Sequence, residues 1–280
     1  MAKKTTVVPK VEEPKTHRVT LMPESNLTLP SLFMAVYING PEWEEKAFAQ
    51  MFVRADCWKA KTPEEADLVV FVGGEDVNPA LYGETAHELT RFSEEDDARD
   101  LAMYKRCYEQ GIPMLGICRG AQFLHVMNGG KMYQDVDEHN GAHAIWDVRN
   151  KVMLQDVSSV HHQMCIENTK GGMSILATSS KACNRWKNPT ERVIGTHADI
   201  EAYFYRDSCC LGIQGHPEYK GYDEFTRWTI QQIEDFVANN PDIKLDETQK
   251  VYRLKPEILA ARVTVPQSII KPAPASKGSA

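Results

Sequence analysis

Long apolar runs are missing from this chain, and so are blocks of basic residues. No stretch of about 18 or more apolar residues occurs that would cross a bilayer as a helix. The opening MAKKTTVVPKVEEPKTH also lacks the apolar core of a secretory signal. The expected compartment is therefore cytoplasmic, with no membrane partner. Lys and Arg never cluster beyond a few residues and the formal net charge is -7, so nucleic acid is not an expected partner. Phosphate-cradling signatures are absent as well: neither G-x-x-x-x-G-K-[ST] nor G-x-G-x-x-G follows an apolar run. The seven cysteines, at 57, 107, 118, 165, 183, 209 and 210, form an odd set with no framework spacing. Such a set points to reduced thiols in a large protein, not to a disulfide scaffold. The adjacent Cys209 and Cys210 fit a buried strand better than a redox or metal pair.

What is present is a chain of 280 residues, 42% hydrophobic, long enough to bury one large core. Apolar runs alternate with helical patterns: LFMAVYI, PEWEEKAFAQMFVRA, ADLVVFV, EEDDARDLAMYKRCYEQ, then IPMLGI and the helix after Cys118. Strand and helix in turn predict an α/β fold, a parallel sheet covered on both faces. The second half has shorter runs, VMLQDVSSV, MSILATSS, IEAYFYR and CCLGIQG, before a last helix near YDEFTRWTIQQIEDFVANN; these add antiparallel strands. Residues 1–17 read as a flexible tail, 18–240 as the domain, and 241–280 as an arm followed by a Pro/Ala/Ser-rich tail. Within the arm, LDETQKVYRLKPEILAARV is open to two readings, folding back on the domain or meeting a partner.

The chemistry is concentrated where IPMLGI ends in Gly116-Ile117-Cys118-Arg119-Gly120 and runs into AQFLHVMNGG. This is a nucleophile elbow with cysteine in the serine position. Flanking glycines let the chain reverse sharply from strand to helix, and the helix N-terminus favours a thiolate on Cys118. His216 and Glu218, two apart in LGIQGHPEY, project to the same side of an extended chain; His216 is placed to take the thiol proton while Glu218 holds its other ring nitrogen. Gly73 and Gly74 end the run ADLVVFV, and their bare backbone is suited to an oxyanion site together with the N–H of Arg119.

These blocks, FVGGEDVNPALYGE, PMLGICRGAQFLHVMNGGKMYQDV, SSVHHQ and LGIQGHPEY, resemble the class I glutamine amidotransferase-like proteins. Within that group they resemble the free-standing γ-glutamyl hydrolases of the γ-glutamyl-γ-aminobutyrate hydrolase type, over about residues 30 to 240. The resemblance implies a three-layer flavodoxin-like open sheet with helices on both faces. It also implies a Cys118–His216–Glu218 triad, with Gly74 and Arg119 donating to the tetrahedral intermediate. Gln122 is then a wall of the glutamyl pocket, and Gly73, His161, His162 and Gln163 join it as substrate-binding candidates. No cofactor and no metal are expected. Two departures, Gly215 in place of a bulky aromatic and His125 in place of an asparagine, are expected to alter one pocket wall.

His139 and His143, four apart beside Asp135, Asp137 and Glu138, have a metal-like spacing, but Asn140 and Gly141 between them predict a loop. The resemblance places that loop over the active-site entrance. Arg99 and Asp100 read as a solvated or inter-helix ion pair. Three functions follow from these residues. The first is hydrolysis of a small γ-glutamyl amide through a thioester on Cys118. The second is a glutaminase subunit feeding ammonia to a separate synthetase chain. The third is a non-catalytic binding module on the same fold. A homo-oligomer also stays open.

Overall fold

Nine strands form one open sheet: β1 (Ala35–Asn39), β2 (Trp58–Lys59), β3 (Leu68–Phe71), β4 (Met114–Ile117), β5 (His143–Asp147), β6 (Val152–Val157), β7 (Met173–Ser179), β8 (Asp199–Tyr205) and β9 (Cys210–Ile213). The computed structural model describes residues 28–179, 183–195 and 199–262. The expected tail at 1–17 and the Pro/Ala/Ser-rich end lie outside the described residues. Spatial order is β2-β1-β3-β4-β9-β8-β7-β5-β6. From β2 to β9 neighbours are parallel, and from β9 to β6 they are antiparallel. The parallel half has the 2-1-3-4-5 order of flavodoxin-like sheets.

Burial explains the two kinds of sequence pattern. β3, β4 and β9 read LVVF, MLGI and CLGI and are buried at every residue, because helices cover both faces of a parallel sheet. Helices α1 (Glu42–Val53), α2 (Glu94–Gln110), α3 (Arg119–Met127) and α4 (Asp223–Val237) supply those covers. Phe48 and Phe52 of α1 and Ile230 and Ile233 of α4 pack with Val36, Leu68 and Val70. Phe123 and Leu124 of α3 and Tyr104 of α2 pack with Val69 and Phe71 on the other face. Odd and even strand residues thus serve separate cores, giving three layers. Cys209 and Cys210 are both buried at the start of β9.

One strand departs from the sequence expectation, and the arm takes the first of its two readings. β5, HAIWD, does not read as an apolar run because two of its three buried positions are His143 and Asp147; Asp147 accepts a 2.7 Å hydrogen bond from Trp228 Nε1 on α4. The stretch before it is the expected loop. Asn140 and Gly141 do make the exposed turn, bonded to the 159–160 segment, but His139 and His143 turn inward. They meet Asp199 and Glu201 on β8 at 2.9 and 2.8 Å. The arm folds back as a hairpin, Ile243–Asp246 with Val251–Leu254, and a short helix, Pro256–Ala261. Arg253 donates to the carbonyls of Ala66 and Glu64, and Tyr252 N–H donates to Asp67 at 2.7 Å.

Candidate active site

β3, β4 and β9 are neighbours in the sheet, so the loops that follow them leave side by side at the carboxyl edge, where open α/β sheets hold ligands. The middle loop is the elbow. Cys118 stands at the N-cap of α3 with φ 52° and ψ -113°, a conformation that costs a non-glycine residue of order 1–3 kcal/mol. The neighbours leave no alternative. A Cβ on Gly116 would lie 2.5 Å from Gly120 and Ala121 backbone, and one on Gly120 would meet the carbonyl of Phe71. Strand β4 and helix α3 therefore touch backbone to backbone, and the sulfur is aimed outward between them.

Gly73 and Gly74, beyond β3, flank this sulfur. A Cβ on Gly73 would meet His216 Cε1 at 3.2 Å and Cys118 Cβ at 3.9 Å; one on Gly74, at φ +137°, would meet Arg119 Cδ at 3.2 Å. From β9 come His216 and Glu218, joined Nδ1 to Oε1 at 2.7 Å. Ser158 fixes the backbone of His216 on both sides, accepting from its N–H at 2.8 Å and donating to its carbonyl at 2.9 Å. Tyr219 stacks on the imidazole with centroids 4.4 Å apart. Burial alone would lower the imidazole's proton affinity, but the neighbouring Cys118 sulfur and Glu218 carboxylate outweigh it and raise His216 to about 10.

Arg119 has a second task. Its guanidinium is buried and ion-paired with Asp97 at 2.5 Å and with Asp100, both on α2. Asp100 also accepts from Arg99 and from Asn39. Arg99 thus pairs within α2, while the inter-helix ion pairs are those of Arg119, and they anchor α3, with the elbow at its start, to α2. Replacing Arg119 by Met keeps the backbone N–H at that position but takes the buried guanidinium away from both Asp97 and Asp100. A loss of about 3–5 kcal/mol in urea unfolding is expected.

Two cavities open beside Cys118. One, about 210 Å³, is polar and includes Glu75, Asp76, Arg91, Gln122, His161 and His162 in its lining. Arg91 and Asp76 are paired through the backbone: Asp76 N–H donates to the Arg91 carbonyl at 2.7 Å, and Arg91 N–H donates to Asp76 Oδ2 at 2.9 Å. His162 bonds Asp76 at 3.2 Å, which raises its proton affinity. Gln122 donates to the Gln163 carbonyl at 3.0 Å and to Gln214 at 3.2 Å, tying the His161-His162-Gln163 loop to α3. His161 Nδ1–H donates to the Gln163 carbonyl at 2.9 Å, and burial pushes its ring down to about 3. The second cavity, about 280 Å³, is bounded by Trp43, Glu44 and Ala47 of α1 and by Tyr219 and the triad.

All the site residues expected from sequence except Arg119 line these two cavities; the Arg119 side chain turns away to Asp97 and Asp100. Sequence reasoning missed Arg91, Trp43, Glu44 and Tyr219. Glu75 and Asp76 were within reach, since they follow Gly74 directly. The two departures do not touch the cavity walls as expected. His125 points away, meeting Tyr205 Oη at 2.9 Å and the Lys131 carbonyl at 3.0 Å, and burial lowers it to about 4. At 215, a Cβ would lie 2.8 Å from the Ser158 carbonyl and 2.9 Å from the Phe225 ring, so Phe225 fills the space of a larger residue.

A flavodoxin-like sheet with a cysteine elbow of this kind is the mark of a class I glutamine amidotransferase-like protein. The Peptidase C26 family matches residues 59–218, more than half of the chain, and the chain belongs to that family. A glutamine amidotransferase-like protein of Lactococcus lactis is 43% identical over 174 residues, covering 54% of this chain and 66% of its own. The γ-glutamyl-γ-aminobutyrate hydrolase of Escherichia coli is 26% identical over 159 residues, covering 51% and 60%. A glutamine amidotransferase from Thermotoga maritima superposes with a TM-score of 0.48 at 19% identity, over 75% of this chain and 84% of that one. The chain spans less than two thirds of the length of the curated relatives it matches. Among the described residues no helix is long and apolar enough to cross a membrane.

Proposed function

We infer that the protein hydrolyses a γ-glutamyl amide through a thioester on Cys118, releasing glutamate and an amine. The observation that carries this is the Cys118–His216–Glu218 arrangement at a glycine-tight elbow, with a polar cavity on one side of the sulfur and an aromatic-walled one on the other.

The proposed steps use these residues in turn. Cys118 Sγ attacks the side-chain carbonyl while His216, held by Glu218, carries the proton. Negative charge on the carbonyl oxygen is met by the N–H groups of Arg119 and Gly74. His216 passes its proton to the departing nitrogen and the C–N bond breaks, leaving the γ-glutamyl thioester. A water then loses a proton to His216 and attacks the thioester, and glutamate leaves as the sulfur is restored. The glutamyl head is a zwitterion. In the polar cavity Arg91 suits its α-carboxylate, and Asp76 and Glu75 suit its α-ammonium. The amine then sits by Trp43, Glu44 and Tyr219. Glu44 places a carboxylate there, which favours a neutral or cationic amine over one bearing its own carboxylate.

Glutamate release from a panel of γ-glutamyl amides, with free glutamine and Cys118→Ala controls, tests this reading. Fast cleavage of a substituted amide with poor use of glutamine supports it. Slow turnover of glutamine alone favours the glutaminase subunit, and no release from any member favours a binding module.

The raised imidazole predicts a pH profile. Because the folded value lies above the ordinary 6.5, the His216 contribution to stability is complete below pH 6.5 and is lost as pH rises through about 10. Leaving-group protonation needs the imidazolium, so kcat/KM should hold through neutral pH and fall with an apparent pKa near 10. In Cys118→Ala the ring, followed by NMR, should titrate lower, since the sulfur gives the largest of the raising contributions. An unchanged ring in that variant would mean that His216 does not face the sulfur.

A further inference from the structure

Beside the polar cavity, two histidines and a glutamate from distant parts of the chain, His139, His161 and Glu201, come together, with His143 bonded to the same glutamate. His139 precedes β5, His143 starts it, His161 lies in the loop after β6, and Glu201 lies on β8. All four are buried. His139 Nδ1, His143 Nδ1, His161 Nε2 and Glu201 Oε2 are buried atoms without a hydrogen-bond partner among the described residues. Buried polar atoms are normally hydrogen-bonded, and three residues with such an atom, His139, His161 and Glu201, stand within one ligand-sized space, which calls for a shared partner.

We propose that His139, His161 and Glu201 form a binding site for a single divalent transition-metal ion. Their ligand atoms all lie within 4.8 Å of one another. The opposite side of each group is already tied, as the outer shell of a metal site requires. His139 gives its Nε2 to Asp199 at 2.9 Å, leaving Nδ1 for the ion. His161 gives its Nδ1 to the Gln163 carbonyl at 2.9 Å, leaving Nε2. Glu201 has Oε1 bonded to His143 at 2.8 Å, leaving Oε2. Two imidazoles and a carboxylate without thiolate suit zinc, cobalt, nickel or ferrous iron over calcium or magnesium.

Ligand atoms around a tetrahedral ion sit roughly 3.4 Å apart, given bonds of about 2.0–2.1 Å. Small side-chain rotations therefore suffice to close the cluster. An ion there joins the segment before β5, the His161-His162-Gln163 loop and β8, so it braces the wall of the polar cavity.

The test uses the full chain, without an affinity tag and with Cys118→Ala so that the thiol cannot bind metal. It is refolded with Zn²⁺, freed of loose metal by gel filtration and analysed by mass spectrometry of the elements. One zinc per chain is expected, with a higher Tm than protein refolded with a chelator, and Co²⁺ in its place should give a visible d–d spectrum. Glu201→Gln should weaken zinc binding by more than the roughly 10–100-fold typical of losing an outer-shell partner. Should that variant not fold, Asp199→Asn gives the smaller loss. Substoichiometric zinc with no Tm difference would overturn the proposal and leave a buried water among these groups. Zinc held equally by Glu201→Gln would overturn it too, by placing the metal elsewhere.

Discussion

Cys118→Ser should abolish turnover of every γ-glutamyl amide while leaving the fold intact. Serine is smaller than cysteine and keeps the same backbone demands, so the strained φ of 52° and the glycine contacts of the elbow are unaffected. What changes is the nucleophile. A thiol at a helix N-terminus beside an imidazolium ionises readily, whereas a serine hydroxyl gains little from the same surroundings. The residual rate should match that of Cys118→Ala, measured as glutamate release by protein with an unchanged circular dichroism spectrum. A serine variant with rate near the parent would place the chemistry on another residue.

Glu218→Gln should lower kcat/KM by roughly 10⁴-fold, the size of effect known when the acid of a triad becomes an amide. Glu218 meets His216 at 2.7 Å and both are buried, so the amide would leave the imidazolium without its compensating charge and would permit the wrong tautomer. The variant should stay folded, because its neighbours are otherwise unchanged in shape. Two readouts separate this from a packing defect. The ring of His216 should titrate lower than in the parent, and the alkaline limb of the rate should move down with it. Full rate in Glu218→Gln would remove Glu218 from the mechanism.

How much of this was legible in the sequence depended on how local the information was. The elbow reads from five residues because glycine is required on both sides of Cys118 by backbone contact. His216 and Glu218 read from their own spacing. The parallel strands read as apolar runs because both faces are covered. β5 did not, since its buried positions include His143 and Asp147, whose partners on β8 and α4 come from 58 and 81 residues away. The arm hid its attachment in Arg253, a residue that reads as solvated but donates to carbonyls 187 and 189 residues earlier. Arg91 belongs to the same class: nothing near it in sequence marks it as a cavity residue until the backbone bonds to Asp76 bring it beside Gln122. The histidine cluster is the extreme case. His139 and His143 suggested a metal through their spacing on one segment, whereas the groups that face His139 in space are His161 and Glu201.

The central claim is covalent attachment of the glutamyl group to Cys118. Protein mixed with a γ-glutamyl anilide, quenched in acid within the first turnover and analysed by intact mass and peptide mapping, should carry one γ-glutamyl group on the peptide that contains Cys118, and Cys118→Ala should carry none. Glutamate formed with no adduct, or an adduct on any other residue, would contradict the account.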